Sequence, residues 1–97
     1  MSSYKLTTPA ANDYIDILAY TLDKWGIEQY KKYQALLAST FQKIADNPVL
    51  DRNYAGTPQS VYGYHTGSHI VFYRRAASHV EIIRILHKNM DFKRHFK

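Results

Sequence analysis

Two histidines, an arginine and a lysine stand on or just after two apolar runs of this chain: His69, Arg84, His87 and Lys88. Metal-independent cleavage of RNA needs a base for the 2′-hydroxyl, an acid for the leaving oxygen and cations for the phosphate. These four side chains could be assembled into such a set. Each also has a plainer role. A histidine that closes a buried strand is more often a hydrogen-bonded structural residue, which is the reading for His87. Arg84 falls in an apolar row, where pairing with a carboxylate is expected, and Asp91 is the candidate. His65 and His79 read as exposed turn residues. The histidines lack the spaced pairs of a zinc site, so no metal is assigned, and no cofactor motif occurs. There is no cysteine, hence no disulfide or thiolate ligand. Serine, histidine and aspartate all occur, but no nucleophile motif does.

The elements that would position these residues follow from periodicity. His69–Arg75 and Val80–His87 are rich in β-branched and aromatic residues and predict a hairpin closed by the loop Ala76–His79. Val71 and Tyr73 face one way and Ile70 and Phe72 the other, which suits a strand covered on both sides. Strict alternation would put Val80, Ile82, Arg84 and Leu86 on one face, and Glu81, Ile83, Ile85 and His87 on the other. Upstream, Tyr4–Thr7 predicts an edge strand. Thr8 as cap and Pro9 start a helix whose stripe is Ala11, Ile15, Leu18, Leu22 and Trp25, ended by Gly26. A second apolar stripe holds Tyr14, Ile17 and Thr21, with Tyr20 beside it.

A second helix starts near Ile27 or Glu28 and buries Tyr30, Tyr33, Leu37, Phe41 and Ile44, with Leu36 and Thr40 flanking. It stops at Asp46-Asn47-Pro48. Val49–Ser60 reads as a loop, Val61–His65 as a strand, Thr66-Gly67 as a turn, and Met90–Lys97 as at most one helical turn. The fold class is therefore α+β. An N-terminal strand, an antiparallel helix hairpin and a three-stranded antiparallel meander form a single domain over residues 1–97.

Composition bounds the rest. A chain of 97 residues, 45% hydrophobic and 22% charged, is an ordinary globule with one core. No apolar run is long enough to span a membrane, and the start lacks a signal-peptide core, so a cytoplasmic protein is expected. The net charge of +5 is uneven. Residues 1–60 balance, whereas residues 61–97 hold Arg74, Arg75, Arg84, Lys88, Lys93, Arg94 and Lys97 against Glu81 and Asp91. A basic half points to an acidic partner or simply to a solubilising surface. The tyrosines invite stacking on nucleic acid. Tyr30 and Tyr33 fall on the helix core stripe and Tyr64 and Tyr73 on strands, so stable direct binding ranks below contact with a protein–DNA complex.

Four segments together resemble a known family. They are Trp25-Gly26, Ala45-Asp46-Asn47-Pro48, Gly67-Ser68-His69-Ile70-Val71-Phe72-Tyr73-Arg74, and Ile82-Ile83-Arg84-Ile85-Leu86-His87 followed by Asp91. In this order, over almost the whole chain, they resemble the RelE/ParE superfamily of bacterial toxins, and the ParE branch most closely. The resemblance implies a toxin that traps the complex of DNA gyrase with cleaved DNA and is neutralised by a ParD-like antitoxin. RelE-like siblings cut messenger RNA on the ribosome, and fold alone does not separate the two activities.

Two departures from the RelE pattern count against a ribosome-dependent nuclease. His69 stands where those enzymes commonly carry arginine. His87-Lys88-Asn89 replaces their arginine-rich run with its tyrosine, and Phe92 and Phe96 have no hydroxyl. Messenger RNA cleavage by His69, Arg84, His87 and Lys88 is the alternative, and a non-toxic relative that only binds antitoxin is a third reading. For the antitoxin, usually acidic and folding on binding, the candidate contacts are Tyr14, Ile17, Tyr20, Arg74 and Arg75. The Tyr14, Ile17, Tyr20 stripe fits core packing against the second helix equally well. For the target the candidates are the basic residues Lys88, Lys93 and Arg94.

Overall fold

Thr7 turns the chain from strand into helix, and one side chain makes both joins. Its hydroxyl accepts the Ala10 N–H at 3.2 Å and donates to the Ile83 carbonyl at 2.8 Å. The cap is therefore Thr7, not Thr8, which together with Pro9 forms the first helical turn. The computed structural model describes residues 3–47 and 60–96, apart from the Lys93 side chain. Within them run β1 (Tyr4–Leu6), α1 (Thr8–Trp25), α2 (Ile27–Asp46), β2 (Tyr62–Thr66), β3 (His69–Arg75), β4 (Val80–His87) and a 3₁₀ turn over Phe92–His95. Pro48 and most of the expected loop Val49–Ser60 lie outside the described residues.

The sheet order is β1-β4-β3-β2, with β1 parallel to β4 and the other pairs antiparallel. The helix hairpin and the meander are as expected, and the β3–β4 loop spans the expected four residues. The β2–β3 turn is Gly67-Ser68, because Thr66 still pairs with His69. Gly67 takes φ 56°, as a two-residue hairpin turn requires at its first position.

Both faces of β3 are buried. Val71 and Tyr73 pack with Ala10, Leu37, Phe41 and Ile44 of the helices. Ile70 and Phe72 pack on the other side under Phe92 and Phe96. Burying a side chain such as Leu37 or Ile44 stabilises by about 1.5–3 kcal/mol.

Strict alternation fails in β4. Phe72 pairs with Arg84 but Tyr73 pairs with Ile82, so Ile83 is an extra residue in a β-bulge. Val80 and Ile82 therefore share the helix-facing cluster with Ile85, while Leu86 and Ile83 belong to the other. The expected row of Val80, Ile82, Arg84 and Leu86 does not exist. The strand's exposed backbone groups are taken up from the α1 side. The Thr7 N–H donates to the Ile82 carbonyl at 2.9 Å, the Thr7 hydroxyl meets Ile83, and Asp13 accepts the Ile85 N–H at 3.0 Å.

The rotation of α1 also differs from expectation. Of the stripe assigned to the core only Leu18 is buried, whereas Ile15, Leu22 and Trp25 are 62%, 44% and 64% exposed. Ala10, Tyr14, Ile17, Leu18 and Thr21 face inward. Two apolar stripes compete on this helix, and the links from Thr7 and Asp13 to β4 select the second. Thr21 is buried without penalty because its hydroxyl donates to the Ile17 carbonyl at 2.7 Å. On α2 the expected residues Leu37, Phe41 and Ile44 are buried, with Thr40 and Ala45 added.

Candidate functional site

An open groove of about 600 Å³ lies where the helix hairpin meets the end of the sheet. One wall is the second half of α1, with Ile17, Tyr20 and Trp25, and Tyr33 of α2 stands opposite. Ser68, His69 and His87 form the floor, and Met90 closes it. Tyr20 and Trp25 are more than half exposed, and the Lys24 ammonium lies 5.6 Å from both rings. The groove is apolar with a few converging polar groups, as binding sites commonly are.

His69 and His87 come together on its floor, ring centroids 5.5 Å apart and edge to face. Register explains this, since they are a cross-strand pair at the ends of β3 and β4. Tyr33 reaches across from α2, its hydroxyl 2.5 Å from His69 Nδ1 and 3.2 Å from the Ser68 N–H that donates to it. Burial and, to a lesser extent, the adjacent His87 push the His69 pKa down to about 4, with Asp13 opposing both. Burial raises the Tyr33 pKa against the opposing Ser68 N–H. His87 accepts the Asn89 N–H on Nδ1.

Arg84 does not join them. Its Nε and a terminal nitrogen donate to the two Asp13 oxygens at 2.7 and 2.9 Å. The hydrogen bond to Asp13 raises the Arg84 pKa, with burial opposing. Arg84 is thus paired with a carboxylate as expected, but with Asp13 of α1 rather than Asp91. Lys88 follows His87 and is exposed, and its backbone N–H donates to the Ser68 carbonyl.

The residues expected to meet a partner are scattered. Ile17 and Tyr20 line the groove, whereas Tyr14 packs edge to face on Phe41 in the core. Arg74 and Arg75 sit at the far end of β3, some 20 Å from His69 at strand rise. Arg74 pairs with Glu81. Arg75 donates to the Tyr62 hydroxyl at 2.9 Å and stacks on its ring. Arg94 is exposed in the 3₁₀ turn, and the Lys93 side chain lies outside the described part. His65 is exposed but belongs to β2, and His79 is half-buried.

Asp13, Tyr33, Trp25 and Met90 were not among the expected site residues. Asp13 had a signal, an acid on the inner flank of α1 nearly two turns after the cap. The others needed the tertiary arrangement. Among the described residues no cluster of three or more His, Asp or Glu could hold a metal ion, and no helix is long and apolar enough to cross a membrane.

Comparison with known proteins places this geometry. A family described as the ParE toxin of the type II toxin–antitoxin system, parDE, matches residues 4–92. Toxin ParE1 of Caulobacter vibrioides is 36% identical over 95 residues, covering 98% of each chain. Toxin ParE1 of Mycobacterium tuberculosis is 32% identical over 96 residues, covering 97% of this chain and 98% of the relative. A solved structure titled as a chromosomal ParDE TA system from P. aeruginosa shares the fold. Its TM-score is 0.75 at 20% identity, with 90% of this chain and 96% of that one covered. With the family spanning β1 to the 3₁₀ turn and two relatives matched over nearly their whole length, the chain belongs to the ParE toxin family of type II toxin–antitoxin systems.

Proposed function

We propose that this toxin acts in the cytoplasm by poisoning DNA gyrase, trapping its complex with cleaved DNA, and that a ParD-like antitoxin silences it by filling the groove. The observation that carries the choice of target is the closed ion pair of Arg84 with Asp13. An RNA-cleaving site needs a free cation against the phosphate, and this arginine is already committed to a carboxylate. The basic residues after β4, Lys88, Lys93 and Arg94, are the proposed contacts to the gyrase–DNA complex.

The antitoxin reading keeps Ile17 and Tyr20 as contacts, adds Trp25 and Met90, and moves Tyr14 to the core. Arg74 and Arg75, at the other end of the sheet, are reached only by a partner that extends well beyond the groove. A segment that is disordered alone and folds into the groove would have that reach.

Messenger RNA cleavage is the second reading, and one observation favours it: His69 and His87 adjoin, with Lys88 next in sequence. Gyrase supercoiling and ribosome-dependent cleavage, assayed separately with purified toxin, decide between them. Loss of supercoiling with accumulation of cleaved DNA supports the first reading. Messenger RNA cleavage without any gyrase effect overturns it.

A further inference from the structure

The hydrogen bonds around the two groove histidines point to which nitrogen of each carries its proton. In His87 the Asn89 backbone N–H donates to Nδ1 at 3.2 Å, so the neutral ring has its hydrogen on Nε2. In His69, Nδ1 faces the Tyr33 hydroxyl, which already accepts the Ser68 N–H. With one lone pair so engaged, that hydroxyl is placed to give its own hydrogen to Nδ1, and we assign His69 too as the Nε2–H tautomer. Each ring is tied to the protein through Nδ1, and both line the groove. A pair held in this way presents N–H donors rather than lone pairs, which disfavours a metal and favours an acceptor.

We propose that His69 and His87 form a carboxylate-capture site, and that the antitoxin segment filling the groove seats an Asp or Glu side chain on the two Nε2–H groups. The proposal rests on the antitoxin reading above and names the chemistry of that partner at this spot: an acid flanked by apolar residues that meet Ile17, Trp25 and Met90. A carboxylate offers two oxygens, one for each donor, and hydrogen bonds to an ionised acceptor are stronger than neutral ones. The net charge of +5 favours an acidic visitor.

The charged and titratable groups around the pair set its selectivity. From α1, Asp13 is held by Arg84 and the Ile85 N–H, while Asp16 lines the groove wall. From α2 comes the Tyr33 hydroxyl, and Lys88 follows His87 on the chain. Asp16 repels an acid at the wall, so the acid belongs at the histidine end. Burial holds the empty His69 neutral, with a pKa of about 4. A seated carboxylate favours the imidazolium, so binding takes up protons and affinity rises as pH falls.

The test uses the full-length toxin with its cognate antitoxin. Histidine side-chain proton–nitrogen NMR of the free toxin should show both rings as Nε2–H tautomers. Adding antitoxin should move both Nε2 protons downfield. In parallel, each Asp and Glu of the antitoxin's toxin-binding segment is changed to Asn or Gln. One change should weaken binding about tenfold or more, and that loss should vanish against toxin carrying His69→Gln and His87→Gln. A complex that forms with both Nε2 signals unmoved, or acid effects that all add independently of the histidines, would overturn the capture site. No complex at all would overturn the antitoxin reading beneath it.

Discussion

Asp13 accepts from two nitrogens of Arg84 and from the Ile85 backbone N–H, so one carboxylate ties α1 to the strand just past its bulge. The pair is mostly shielded, with 22% and 15% of the two side chains exposed. Removing one partner of such a pair leaves a charge and a backbone donor unmatched. Asp13→Ala is expected to lower unfolding stability in urea by about 2–3 kcal/mol, more than the loss of an exposed pair such as Arg74–Glu81, which is worth at most about 1 kcal/mol. A second residue-scale expectation concerns pH. The folded pKa of His69 is lowered to about 4, so below its ordinary value near 6.5 the unfolded chain binds the extra proton. Stability from this group is complete above about pH 6.5 and is lost as pH falls toward 4. Melting temperature should therefore drop less steeply over that range in His69→Gln than in the wild type. Parallel curves would assign the pH dependence elsewhere.

Among the elements, the β2–β3 turn is sensitive to a small change. A Cβ on Gly67 would lie 2.8 Å from the Tyr33 hydroxyl, and the residue already has φ 56°. Gly67→Ala is expected to cost about 1–3 kcal/mol. It should also displace Tyr33 from His69, visible as a changed His69 side-chain NMR signal. The same elements show what the sequence made legible. Apolar runs with β-branched residues located β3 and β4 to the residue, and Gly26 located the helix break, because those signals are local. The bulge at Ile83 has no local signal. It arises because strand β4 must serve β3, β1 and the start of α1 at once. Missing it misassigned the faces of Ile85 and Leu86 and left Arg84 in an apolar row with Asp91 as its expected partner. The rotation of α1 was ambiguous for a related reason. Ile15, Leu22 and Trp25 have the spacing of a core stripe, and only the links through Thr7 and Asp13 turn that stripe outward. The groove could not be read for the same cause, since it exists only once Trp25 is outside.

For the whole molecule, the carboxyl end carries both aromatic cover and basic charge, which ordinary truncation would confuse. Phe92 and Phe96 each pack edge to face on Phe72, 5.0 Å between centroids, and cover the sheet face away from the helices. Arg94 lies among them in sequence but is exposed. Deleting the tail would uncover Phe72, Ile70 and Leu86 and remove the basic residues in one stroke. Point changes separate the two. Phe92→Ala with Phe96→Ala should lower stability by about 2 kcal/mol for each ring and expose an apolar sheet face prone to aggregation. Lys88→Ala with Arg94→Ala changes only exposed residues and should alter stability by less than about 0.5 kcal/mol. If the basic end meets the gyrase–DNA complex, the second variant keeps its melting temperature and its antitoxin affinity but loses inhibition of supercoiling, and its deficit against the wild type narrows as salt is raised. A Lys88→Ala, Arg94→Ala toxin that inhibits gyrase as well as the wild type would remove these side chains from the target surface, and would leave the tail as a cover for the sheet alone.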